Sequence, residues 1–288
     1  MPLPFVMARG NRGGTRAAAT GGGGVTVSDD LAYPGGLFTA SNYEISVAPD
    51  MHFDAAYLDG TNETTASEGD SVATWGDRSG NATDHDATQG TGSAQPTYDL
   101  TSEIHSVAFD GGDWLDMATG IQVTTESAGF TICFVGKATD NATNSHMTVV
   151  GGDSGDSAAY TWVMRSNSAA ASRIHYYGGN GYKAFTDTTG RDCTDLNMFT
   201  FTKDSDSTTD NMKIFAEGGT NMATEDRANT FLLYAENIGR RSSGGYLSIA
   251  SFHEILVFGS LLSNANLDVI KDYFDNKYSD LPTLTSFS

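Results

Sequence analysis

Positive charge is scarce in this chain. Of 288 residues, 16 are Lys or Arg against 36 Asp or Glu, so the formal net charge is −20. So few cations cannot neutralise many phosphates, which excludes nucleic-acid binding as a main role. Long apolar runs are missing too. No stretch approaches the ~20 residues of a spanning helix, so membrane insertion is not expected. Cysteine is nearly absent. Cys133 and Cys193 are too few for a disulfide framework and lack metal-ligand spacing. Cys133 lies in the strand-like run FTICFVG, which predicts a small buried thiol; a bridge to Cys193 stays open. Only 18% of residues are charged, below the roughly 25% usual in soluble domains, so Ser, Thr, Asn and Gly must build most of the surface. The six His form no i,i+4 pair and no G-x-S-x-G occurs, which removes two common catalytic motifs. What is present is a 39% apolar fraction with 10% aromatics, enough to bury a core and exclude wholesale disorder.

The missing cations follow a pattern. Arg9, Arg12 and Arg16 are followed by no Lys or Arg from 17 to 77, a stretch that holds ten acids. Residues 1–24 read as a basic, Gly-rich arm ending in the hinge Gly21–Gly24. Its charge follows its apolar stretch, the reverse of a secretion signal. The apolar tip (Pro2, Leu3, Phe5, Val6) and the three arginines suit docking on carboxylates of a partner chain. Residues 25–48 read as a connecting segment, a strand or collar, and residues 49–288 as the main domain.

That domain shows many short β-type runs separated by Gly, Asp, Asn and Ser. Phe130, Ile132 and Phe134 alternate with Thr131, Cys133 and Val135; Phe199 and Phe201 alternate with Thr200 and Thr202. Period-two alternation with frequent turns predicts an all-β, antiparallel sandwich. One helix is expected near the C-terminus. Ser263 can cap it, and Leu267, Ile270, Phe274 and Tyr278 make one apolar stripe before Pro282.

Four motifs in order resemble a known family. Trp75-Gly76-Asp77-Arg78-Ser79-Gly80-Asn81, followed by Pro96-Thr97-Tyr98, resembles the W-x-D-x-S-G-N signature of concanavalin-A-like, laminin-G-like jelly-roll domains. Val107-Ala108-Phe109-Asp110-Gly111 with Trp114-Leu115 is similar to that family's V-x-F-D-G strand pair. Phe252-His253-Glu254, then Leu262-Ser263 and Asp275-Asn276-Lys277-Tyr278, resemble its last strand and closing helix. The resemblance covers roughly 50–280. It implies a jelly-roll β-sandwich with one C-terminal helix behind an extended N-terminal arm. It also implies structural roles: Trp75 in the core, Asp77, Ser79 and Asn81 fixing a turn, and Glu254 tying down backbone. The family includes virion proteins of bacteriophages, carbohydrate-binding modules, bacterial surface proteins and glycosidases.

The glycosidase branch needs two carboxylates on one strand face. Glu254 shares its expected face with Phe252 and Leu256, where a partner acid should stand. Asp113 and Asp116 fall on opposite faces. An enzyme is therefore not expected. No cofactor is called for with certainty; Gly151-Gly152-Asp153-Ser154-Gly155-Asp156 offers carboxylates and carbonyls of the kind Ca²⁺ takes, with Asp153 and Asp156 as ligands, or else is a plain polar turn. Tyr176, Tyr177, Asn180 and Tyr182 surround a Gly-rich hairpin and could offer glycans a platform, with ordinary hairpin aromatics as the alternative. Tyr176 and Tyr177 alternate, so one of them must face away from the core. The expected role is a non-catalytic virion accessory protein, of the capsid-decoration or head- or tail-fibre type. Its arm would contact other virion proteins, an oligomer is expected in the assembly, and the sandwich would touch host-surface glycans. The alternatives are a secreted bacterial carbohydrate-binding or adhesion module and a divergent glycoside hydrolase.

Overall fold

The computed structural model describes residues 28–36, 41–101, 104–123, 129–139, 146–152, 161–165, 173–178, 181–186, 194–204, 212–225, 233–240 and 247–288. For 161–165, 173–178, 181–186 and 222–225 it describes the backbone. Two antiparallel sheets face one another. The outer sheet runs, in spatial order, Gly181–Thr186, Arg173–Gly178, Thr161–Arg165, His146–Gly151, Leu233–Ile238, Leu115–Val123, Ala87–Thr88, Thr74–Trp75. The inner sheet runs Thr220–Glu225, Met212–Ala216, Asn197–Lys203, Phe130–Ala138, Ile249–Phe258, Ile104–Asp110, Thr97–Thr101, with Met51–Asp54 also paired to Ile249–Phe258. This is the antiparallel sandwich expected from the alternation, in the jelly-roll-like form that the resemblance implies, closed by one C-terminal helix, Asn264–Lys277.

The inner sheet is buried on both faces. Phe130, Ile132, Phe134, Phe199, Phe201, Ile255 and Val257 fill the space between the sheets. Cys133, Val135, Met198, Leu256 and Phe258 fill a second core on the far side. Phe134 stacks on Phe199 with ring centroids 5.2 Å apart. Cys133 is a buried free thiol, its pKa pushed up to about 12 by burial; Cys193 lies outside the described residues.

The second core is roofed by the helix and by residues near the N-terminus. Ser263 caps the helix, its hydroxyl accepting the Asn266 N–H at 3.3 Å. Leu267, Ile270 and Phe274 of the predicted stripe are buried, and so are Tyr273 and Tyr278. Within the predicted connecting segment, Ser28–Ala32 and Ser41–Glu44 pair in parallel. Leu31, Tyr33 and Ile45 join the helix in the second core. The segment is thus part of a third layer, under which the polar cluster described next is enclosed.

Removing a side chain from the first core should be costly. Phe134→Ala is expected to lose about 3–5 kcal/mol in denaturant unfolding. Leu261→Ala, at an exposed site, should stay within about 0.5 kcal/mol.

Candidate functional site

Two groups of polar side chains stand out, one beneath the helix and one on the outer sheet. The first begins with strand register. Glu254 pairs directly with Asp54, and Leu256 with His52. Directly opposed residues share a face, so all three of His52, Asp54 and Glu254 look toward the helix. The Glu254 carboxylate accepts from Lys277 Nζ at 2.7 Å and from the Tyr273 and Tyr278 hydroxyls at 3.0 and 2.8 Å; His52 Nε2 lies 2.7 Å away. Asp54 accepts from Lys277 Nζ at 2.6 Å, from the Arg78 guanidinium and from the Ala56 N–H. Arg78 also meets Asp30 at 3.2 Å and stacks on the Tyr57 ring, 3.7 Å from its centroid.

Burial decides the energetics. Asp54 and Glu254 are 1% and 0% exposed. Burial alone would push both carboxyls up. For Asp54, Lys277 and then Arg78 outweigh it; for Glu254, Lys277 and the His52 hydrogen bond do; both end below the ordinary carboxylate range. Burial would lower Lys277, but Asp54 and Glu254 hold its ammonium well above the usual lysine value. The ligand atoms of His52, Asp54 and Glu254 lie within 4.8 Å of one another, a set that could hold a metal. Lys277 and Arg78 fill that role instead, as two fixed cations.

The signature turn delivers Arg78. Asp77 accepts from the Ser79 N–H and hydroxyl at 2.9 and 2.7 Å and from the His52 N–H at 2.9 Å. Asn81 donates to the Asp50 carbonyl at 2.8 Å. Gly80 adopts φ +72°, where a Cβ would run into the Gly35 carbonyl. Trp75 is fully buried against Phe53. Phe109 packs on Phe252, Asp110 accepts the Gly112 N–H at 2.8 Å, and Gly111 takes φ +98°.

The expectation for Glu254 needs correction. It does not tie down backbone; it is the hub of a side-chain cluster. Nor does it share a face with Phe252. A β-bulge between Phe252 and Glu254 breaks the alternation, so Phe252 turns into the first core while Leu256 lies on the Glu254 face. The partner acid missing from the strand comes from the neighbouring one, as Asp54. Arg78 and Lys277 stood inside the quoted motifs, but their pairing depends on the third layer.

The second group lies on the outer sheet. One register row crosses seven strands: Thr88, Asp116, Asn237, Gly151, Thr161, Tyr177 and, at the edge strand, Tyr182. The neighbours Leu115 and Ile238 belong to the first core, so Asp116 and Asn237 lie on the opposite face of the sheet. Tyr176 falls in the next register row, with Val150 and Trp162. Backbone register therefore pairs Tyr177 with Tyr182 and sets Tyr176 in a different row.

At the other end of the row Asp116, 45% exposed, accepts from the Trp114 indole N–H at 3.0 Å and pairs with Arg240 at 2.7 Å. The Arg240 guanidinium lies 4.9 Å from the Trp114 ring centroid. Asn237 is fully buried and neither atom of its amide finds a partner. Asp113 turns away from Asp116 to accept the Asp110 N–H, its carboxyl raised to about 6 by burial. Sequence reading weighed Asp116 only against Asp113 and passed over Asn237 and Arg240, because the three come together only through cross-strand register. The arm residues Pro2, Leu3, Phe5, Val6, Arg9, Arg12 and Arg16, the Ca²⁺ candidates Asp153 and Asp156, and Asn180 lie outside the described residues.

No family model and no curated protein matches the chain. Solved structures do. Trypanosoma rangeli sialidase in complex with 2,3-difluorosialic acid aligns with TM-score 0.52 and 11% identity, over 82% of this chain and 34% of the sialidase. The binding domain of botulinum neurotoxin DC in complex with rat synaptotagmin II aligns with TM-score 0.50 and 11% identity, over 80% of this chain and 52% of that one. The chain thus spans about a third and about half of these structures. At this identity the likeness is one of fold, a jelly-roll-like β-sandwich.

The acid dependence of stability follows from the buried carboxyls. Both have folded pKa values below their ordinary ones, so their contribution is complete above about pH 5 and lost progressively as pH falls further. Denaturant midpoints should drop steeply below that point. Arg78→Ala, which strips Asp54 of a cation, is expected to cost about 3–5 kcal/mol at neutral pH. A flat acid profile in the wild type would contradict the coupling.

Proposed function

We propose that this chain is a carbohydrate-binding sandwich whose ligand lies across the outer sheet. The observation that carries the reading is the register row from Asp116 to Tyr182, with the Trp114–Arg240 stack at one end and two tyrosine positions at the other. Sugars present apolar C–H faces to aromatic rings and hydroxyls to carboxylates, and Trp114 with the half-exposed Asp116 supplies both kinds of partner at one end of the row. The sialidase that shares this fold binds a sialic-acid analogue, which agrees with sugar handling on such a scaffold.

We read the role as binding rather than hydrolysis. The carboxylate pair Asp54 and Glu254 sits under the helix, with Lys277 and Arg78 on its oxygens, where no glycosidic bond can reach it. The reading places the module at a bacterial or virion surface, with host-surface glycans as ligands. Attachment through the arm, residues 2–16, rests on that arm's composition alone. A secreted or surface carbohydrate-binding module thus takes precedence over a purely structural virion subunit.

A glycan array with the full chain tests the reading, followed by calorimetry on any ligand found. Binding is expected, with Trp114→Ala and Tyr182→Ala each weakening it at least about tenfold, the loss of a stacking contact of about 1.4 kcal/mol or more. An array without signal, or variants that bind like the wild type, would refute this site.

A further inference from the structure

Three side chains beneath the helix are placed for a reaction as well as for attraction. Lys277 Nζ touches Asp54 Oδ2 at 2.6 Å and Glu254 Oε2 at 2.7 Å. Asp54 and Glu254 are buried, and the Lys277 side chain keeps 23% exposure, a way out for a small leaving molecule. An amine held against a carboxyl from a distant segment, with a second carboxylate in reach of the same nitrogen, is what condensation of the first two requires. We propose that Lys277 and Asp54 condense to a side-chain amide, an isopeptide cross-link that ties the last turn of the helix to the strand Met51–Asp54.

The step balances without a co-reactant. Glu254 takes a proton from the Lys277 ammonium, and the freed lone pair attacks Cγ of Asp54. A C–N bond forms, and the guanidinium of Arg78, already on Oδ2, stabilises the charge that develops on oxygen. A second proton leaves the nitrogen. The departing Asp54 oxygen receives both, the C–O bond breaks, and one water is released. Nothing is oxidised or reduced. In the resting cluster Lys277 holds its proton firmly and Glu254 is a weak base, so the condensation is slow and follows folding.

The gain comes from burial. A buried ion pair carries the desolvation of two charges, and a neutral amide does not. Each group left behind keeps a partner. Arg78 retains Asp30 at 3.2 Å, and Glu254 retains His52 at 2.7 Å and both tyrosine hydroxyls. Those donors fix Glu254 as the proton carrier, whereas Asp54 meets two cations and one backbone N–H.

Intact-mass spectrometry of the full chain, followed over prolonged incubation, reads the outcome. The expected result is a species lighter by one water that accumulates with time. Its digest should contain an Asp54–Lys277 linked peptide pair. Lys277→Arg keeps the cation and should retain its full mass, with folding checked by circular dichroism. Asp54→Asn should lose one ammonia instead of one water. The wild-type mass decides even where a variant fails to fold: a mass that stays at the uncondensed value overturns the proposal, and so does a link through Glu254.

Discussion

Two carboxylates opposed on neighbouring strands and cut off from water cannot both stay ionised unless cations are brought to them, and Asp54 and Glu254 impose that condition on the rest of the molecule. The cations come from far apart. Arg78 arrives on a tight turn that needs Asp77 as an acceptor and Gly80 in the left-handed region. Lys277 arrives on the last turn of a helix that starts from the Ser263 cap. Asp30, on the parallel strand pair, takes a second bond from Arg78. Three separate pieces of backbone are therefore positioned against the inner sheet by one small set of charges. Apolar burial supplies most of the drive to pack, but it is non-directional. The ion pairs add register and angle.

Much of the scaffold could be read from pattern. Phe130, Ile132 and Phe134 against Cys133 and Val135 gave both faces of a central strand, and the stripe Leu267, Ile270, Phe274 gave the helix. These signals are local, and the periods of 2 and 3.6 residues survive without knowledge of partners. The polar cluster did not survive in the same way. A single bulge moved Phe252 off the Glu254 face, and alternation carries no warning of a bulge. Arg78 and Lys277 were visible as motif letters. That they would meet over Asp54 depends on two elements folding over the same sheet. Tyr176 and Tyr177 show the intermediate case. Alternation put them in different rows, and only register shows that Tyr177 shares the row running through Gly151 and Asn237 to Asp116.

The distribution of charge also takes on a different meaning. The stretch from 17 to 77 holds ten acids and no Lys or Arg. Within it Asp54 is buried, and Asp30 and Asp77 are partly buried and bonded. The first cation after the gap, Arg78, goes inward to meet two of them. The outer sheet spends charge sparingly by comparison, and its row of Thr, Asp, Asn, Gly and Tyr is suited to contacts made one hydrogen bond at a time.

Because Lys277 follows all the described strands in sequence, the cluster's last cation is synthesised after them. A ribosome adding residues from the N-terminus completes every strand of both sheets before that ammonium exists. Until then Asp54 and Glu254 face each other with Arg78 as their main counter-charge, and the apolar side of the inner sheet has no roof. The closing step of the sandwich is thus set by the helix that follows its strands. The growing chain must keep an unroofed sheet from pairing with others of its kind until the final turn of that helix arrives.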